Sequence, residues 1–265
     1  MKQATESLQD TMISTPLPLF YRQPQPLQAG LHAKLSLAKQ PGYGFAAGAN
    51  SVPLIASEMA TACRHFPIVF TEGPQPSPVA VLGLRGEENL FIDDAGQWRA
   101  NTYIPAYIRR YPFIFMENAD QSQFTLCADM AAENITESSE NPLFDAEGAP
   151  TPLTRSALEF CREYQNQHAY TAEFCRALAG ADLLVENRAD VTLPDGQRLT
   201  LSGFKIIDEA KFNALPEPDF LRWRANGWLM LVYCHLISIA AWPALLGHMK
   251  PAAAQAPADE SGQAE

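Results

Sequence analysis

Two adjacent arginines, Arg109 and Arg110, stand in the chain among tyrosines at positions 103, 107 and 111. A guanidinium presents a planar fork of donors that grips a carboxylate or phosphate through two bonds at once, and aromatic neighbours suit it. The chemistry expected here is the binding of an anion, in a cleft rimmed by Tyr103 and Tyr107. In an extended segment consecutive side chains point to opposite faces, so one arginine turns toward apolar neighbours and needs an acid or a ligand there. The structural alternative is an ion pair with Glu87, Glu88 or Asp93, because internal salt bridges and anion sites use the same residue types. If a reaction accompanied binding, His32 or Glu87 would carry the proton. His32 sits on the polar side of an alternating segment, where a lone histidine is ordinarily a surface residue.

Other chemistry finds little support in the residues. The run GYGFAAGAN (residues 42–50) lacks the lysine and third glycine of a nucleotide loop. Asp145 to Gly148 lacks the alternating oxygen ligands of a calcium loop. Cys63, Cys127, Cys161, Cys175 and Cys234 are odd in number, widely spaced and set in apolar runs, which suits buried free thiols in a reducing compartment. No metal and no cofactor is therefore expected. A formal charge of −11 without a basic stripe argues against nucleic acid and anionic membrane surfaces.

The elements that must position the arginines follow from local grammar. Leu90 to Ile92 is an apolar strand, Asp94-Ala95-Gly96 a turn, and Trp98 opens the return strand. Pro105 starts a short helical turn that Pro112 ends. Upstream, residues 1–15 are expected to be a disordered leader, without the basic and apolar regions of a signal peptide. Pro16 to Leu27 is extended, and Leu31 to Leu37 alternates as a half-buried strand. Asn50 or Ser51 caps a helix beginning at Pro53. The continuous apolar runs Phe66 to Phe70 and Val79 to Leu84 read as central strands, and Phe113 to Met116 with Phe124 to Ala128 as a hairpin.

Downstream, residues 131–150 are a polar surface connection. Thr151-Pro152 announces a helix through Leu153, Ala157, Phe160, Cys161 and Tyr164, and Thr171 caps a second one ending at Gly180. Val191 to Leu193 and Arg198 to Leu201 form a hairpin around Pro194-Asp195-Gly196, extended by Ile206 and Ile207, and Asp208 caps the helix that follows. Gly227 to Leu246 has no Asp, Glu, Lys or Arg and is long enough to span a membrane. His235, Pro243 and the globular sequence before it favour a helix buried in a large core. Residues 249–265 are expected to be a disordered acidic tail. The expected fold is α/β (α+β): a largely antiparallel sheet over residues 16–130, packed against a helical half with a β-hairpin over residues 151–248.

Several stretches carry a family resemblance: LFIDDAGQW followed by YIPAYIRRYPF, then LFYRQPQPL, His32, FAAGANSVPLIASEM, FPIVF, NPLFDAEG and DGQRLTLSGFKIIDE. In these the chain resembles the SapC family of bacterial proteins over about residues 17 to 247. The family takes its name from a component associated with export of a surface-layer protein, and its genes often lie near halogenase-like, cupin-like and outer-membrane receptor genes. It implies a setting and no agreed catalytic residues. The leading expectation is a cytoplasmic, non-enzymatic accessory protein with a protein partner, in a surface-protein or secretion-related pathway. The alternative is an enzyme acting on a peptide or small anionic substrate held by the arginine pair. A permease ranks third, because one ambiguous span cannot build an alternating-access transporter.

Overall fold

The computed structural model describes residues 17–39, 42–117, 124–192, 196 and 198–249. The expected leader, the turn residues Asn118 to Asp120, Pro194-Asp195 and the tail beyond Met249 lie outside them. The fold is mixed α/β with antiparallel sheets. The chain divides into two compact units, each drawing on both sides of the 131–150 stretch. The first comprises the described residues through Ala46 with Ala106–Asn166. The second comprises Ala47–Pro105 with the described residues from Gln167 onward.

In the first unit Phe124–Asp129 is the middle strand, flanked by Pro24–Pro26 and by its hairpin partner Phe113–Glu117. A second pair joins Leu35–Leu37 to Ile135–Glu137. Phe113, Leu126, Ala128, Leu143, Phe144 and Cys161 form one buried cluster, and Tyr21, Ile114 and Cys127 another. Asp129, fully buried, ties the N-terminal strand down by accepting bonds from the backbone N–H groups of Arg22 (3.1 Å) and Gln23 (2.6 Å). It also accepts from the N–H of Ala131 (3.3 Å) and the Tyr111 hydroxyl (3.2 Å).

In the second unit five antiparallel strands lie in the order Ser51–Pro53, Pro78–Val81, Ile68–Thr71, Arg198–Ile207, Leu184–Thr192. The two apolar runs are interior to this sheet, as their unbroken hydrophobicity predicts. The last two strands pair with an irregularity between Leu201 and Phe204, where Gly203 takes φ 85° and lets the strand bulge. Asp208 caps the next helix, Glu209–Asn213, by accepting from the N–H of Lys211 (3.1 Å).

Four local expectations are corrected. Ser51–Pro53 is an edge strand and no helix starts at Pro53; an edge tolerates the missing proline N–H. Helical structure begins later, at Ala56–Glu58, where the Glu58 carboxylate accepts from the N–H of Ile55 (3.3 Å). The two expected helices are one, Pro152–Gly180, of 29 residues. No glycine or proline interrupts Asn166 to Tyr170, and Thr171 returns its hydroxyl to the Gln167 carbonyl (2.6 Å) while accepting from the N–H of Ala56 (2.8 Å). Leu31 to Leu37 splits into a helical turn, Ala29–His32, and a strand beginning at Leu35. Ile92 and Trp98 meet only in an isolated bridge, although Gly96 makes the expected turn at φ 71°.

The final apolar segment is helical from Trp228 to Gly247: eleven α residues to Ser238, a 3₁₀ turn over Ile239–Ala241, and six α residues from Trp242. By length and composition it is the one described helix able to cross a membrane. Its enclosure is one-sided. Leu231, Val232, Cys234, His235 and Ser238 are buried, whereas Met230, Tyr233 and Ile237 stand out in solvent.

Candidate functional site

The two arginines diverge because they leave a helical turn, and not because the segment is extended. Ala106–Arg109 is helical, and the Arg110 N–H still bonds the Ala106 carbonyl (3.0 Å). Tyr107 and Arg110, three residues apart, therefore share a face, while Arg109 is rotated away and exposed. The strand Phe113–Glu117 starts directly after Pro112.

Arg110 lies among three tyrosine rings. Its guanidinium carbon is 4.1 Å from the centroid of Tyr107, 4.5 Å from Tyr164 and 5.8 Å from Tyr21. Each ring arrives from a different element. Tyr107 comes from the helical turn and Tyr164 from the long helix. Tyr21 comes from the segment before the first strand, fixed by its hydroxyl donating to the Phe113 carbonyl (2.7 Å). Just before it, Phe20 adopts φ 80°, a conformation that costs a bulky residue of order 1–3 kcal/mol. Its ring packs edge-on against Phe45 and Tyr107. The glycine-rich run proves to be a 3₁₀ turn, Gly44–Ala46, that delivers Phe45 onto Tyr111 in a stack of 4.2 Å.

The electrostatics are those of a sheltered cation. Burial pushes the Tyr21 and Tyr107 phenols up, with the Arg110 charge pulling against it. For Arg110, burial opposes the charge, but the oxygens of Tyr21, Tyr164 and Tyr107 outweigh it, so its pKa lies above the ordinary arginine value. Cys161, one turn before Tyr164, has its thiol raised to about 11 by burial, with Arg110 again opposing. Among the described residues Arg110 enters no ion pair, and its enclosed Nε has no hydrogen-bond partner. The guanidinium also donates to the Tyr21 and Tyr107 hydroxyls, and the residue as a whole is half-buried.

Of the acids expected to neutralise the pair, Glu88 and Asp93 have local partners. Glu88 lies 3.8 Å from Arg85, and Asp93 caps its own turn by accepting from the N–H groups of Ala95 (2.9 Å) and Gln97 (2.8 Å). Glu87 is exposed at φ 58°. Arg109 extends over the Phe160 ring at 5.3 Å. Tyr103 is half-buried and gives its carbonyl to the indole N–H of Trp98 (3.1 Å). His32 is buried, not exposed, and its Nδ1 accepts from the N–H of Gln28 (3.1 Å), a local bond that closes the turn beneath it. Of the sequence candidates, Tyr107 and Arg110 come together. Tyr21 and Tyr164 were missed, since nothing in local spacing links residues 21, 107 and 164.

A family model described as SapC matches residues 27–245, most of the chain. The chain belongs to the SapC family. No curated protein and no solved structure matches it.

Proposed function

We propose that this SapC-family chain is a non-enzymatic accessory protein of the cytoplasm that holds an anionic group of a protein partner on Arg110, in a surface-layer or secretion-related pathway. The pathway rests on the family's name alone. The binding role rests on one observation: a guanidinium seated among three tyrosine faces, with an enclosed Nε that nothing described satisfies. A sheltered arginine is ordinarily matched by a carboxylate, and the aromatic faces offset only part of its desolvation. A carboxylate or phosphate reaching the guanidinium completes the match in charge.

The test is affinity capture from the native cell at low and high salt, with the wild type and with Arg110→Lys. Lysine keeps the charge but loses the planar fork. The expected result is a stoichiometric protein retained by the wild type at low salt, released at high salt, and lost from the lysine variant. Equal capture by both proteins would remove Arg110 from the contact. A stoichiometric small molecule in place of a protein would favour the enzyme alternative.

A further inference from the structure

The exposed residues of the terminal helix, Pro243 beside Ala244 apart, fall in a regular order. Met230, Tyr233, Ile237, Ala240, Ala244 and Gly247 are all exposed, at steps of three, four, three, four and three. That is the spacing of a coiled-coil seam. An ideal α-helix drifts off such a seam because it holds about 3.6 residues per turn. Here the 3₁₀ turn over Ile239–Ala241 tightens the helix, and with about 3.0 residues per turn there and about 3.6 elsewhere the whole segment averages about 3.5. The exposed line therefore stays straight along the helix. It is apolar throughout, since residues 227–246 contain no Asp, Glu, Lys or Arg.

Size runs along this line in one direction, from large at Met230, Tyr233 and Ile237 to small at Ala240, Ala244 and Gly247. We propose that the face is the seam of an antiparallel helix pair formed by two copies of this chain about a two-fold axis. In that arrangement Met230 lies opposite Gly247 of the second copy, Tyr233 opposite Ala244, and Ile237 opposite Ala240, so each large side chain enters the space over a small one. Parallel pairing sets tyrosine on tyrosine and glycine on glycine, crowded at one end and empty at the other. A two-fold interface must be complementary to itself, and this gradient is self-complementary only when reversed. Charge points the same way: two copies, each carrying −11, approach best along a face without charge. Half-buried Leu229 and Leu236 widen the apolar strip beside the seam. Tyr233 is already braced, its ring edge-on to Phe212 at 5.7 Å. The proposal stands apart from the role of Arg110.

Sedimentation of the full chain across the micromolar range should give twice the 29.1 kDa of one copy, and Ile237→Asp, at a position 60% exposed, should halve it. A second measurement fixes direction and register. Equimolar Met230→Cys and Gly247→Cys proteins, treated with a short bismaleimide, should yield a crosslinked dimer, whereas Met230→Cys alone should not. A Cβ at position 247 meets nothing within 4 Å, and the five native cysteines are buried. A monomer throughout that range would overturn the proposal. So would crosslinking of Met230→Cys with itself, or flotation of the chain with phosphatidylcholine vesicles while it sediments as a monomer without them.

Discussion

His235 offers the most exacting test of how the terminal helix is held. It is fully buried in that helix, and its Nε2 accepts from the N–H of Ile207 (3.1 Å). Its Nδ1 must then carry the proton and donate to the carbonyl of Ile68 (2.8 Å). Burial lowers its pKa from 6.5 to about 4. The neutral ring is the form the fold requires, so the stabilisation is complete above pH 6.5 and is lost as pH falls from there through 4. Between pH 7.5 and 4.5 the unfolded chain gains this proton and the folded one largely does not, a loss of about 2–3 kcal/mol. His235→Leu strands one donor and one acceptor, costing about 2–5 kcal/mol at pH 7.5. Because leucine has no proton to gain, the gap between wild type and variant should shrink by about 2–3 kcal/mol at pH 4.5. Urea unfolding of both proteins at the two pH values measures it. His235→Gln, which keeps a donor and an acceptor, serves if the leucine variant does not fold. A gap equal at both pH values would refute the neutral, bridging ring.

Arg110→Ala should remove partner capture, whereas Arg109→Ala, at an exposed position, should change stability by less than about 1 kcal/mol in thermal melts and leave capture intact. Asp129→Asn replaces one acceptor oxygen with a donor facing backbone N–H groups, and should cost about 2–4 kcal/mol in urea unfolding. A variant as stable as the parent would remove Asp129 from the anchoring of the N-terminal strand. Burial raises the Cys127, Cys161 and Cys234 thiols to about 11 and Cys175 to about 12, so at pH 8 these four should react with a thiol reagent only on the timescale of unfolding. Rapid reaction of any of these four would contradict their enclosure.

What could be read in the sequence was whatever local spacing encodes. Ile68–Thr71 and Pro78–Val81 announced themselves as interior strands because both faces are covered, so no polar residue had to alternate. Asp208 and its helix followed from capping chemistry. The separation of Arg109 from Arg110 is legible, but an extended backbone is not its cause: a helical turn produces it. The tyrosines around Arg110 were not legible. They arrive from three segments whose approach is fixed by long-range bonds, such as that from the Tyr21 hydroxyl to Phe113. The seam on the terminal helix was present in the spacing all along. A segment apolar on every side gives hydropathy no means of showing which side meets the fold.

That helix sets two polar side chains, His235 and Ser238, within its buried side while an apolar line faces outward, and the sheet explains why. Arg198–Ile207 pairs with Ile68–Thr71 at Phe204 with Thr71 and at Lys205 with Phe70. Continued, this register would set Ile207 opposite Ile68, yet the described ladder ends at Lys205. There the His235 ring bridges the Ile207 N–H to the Ile68 carbonyl, and the Ser238 hydroxyl accepts from the Ile68 N–H (2.9 Å) while donating to the His235 carbonyl (2.6 Å). Two side chains of the helix thus complete a ladder that the strands leave open. Moving the helix away would strand three buried backbone groups at about 1–3 kcal/mol each. The inward face is therefore committed to the sheet, and whatever covers Met230, Tyr233 and Ile237 must come to the helix where it lies.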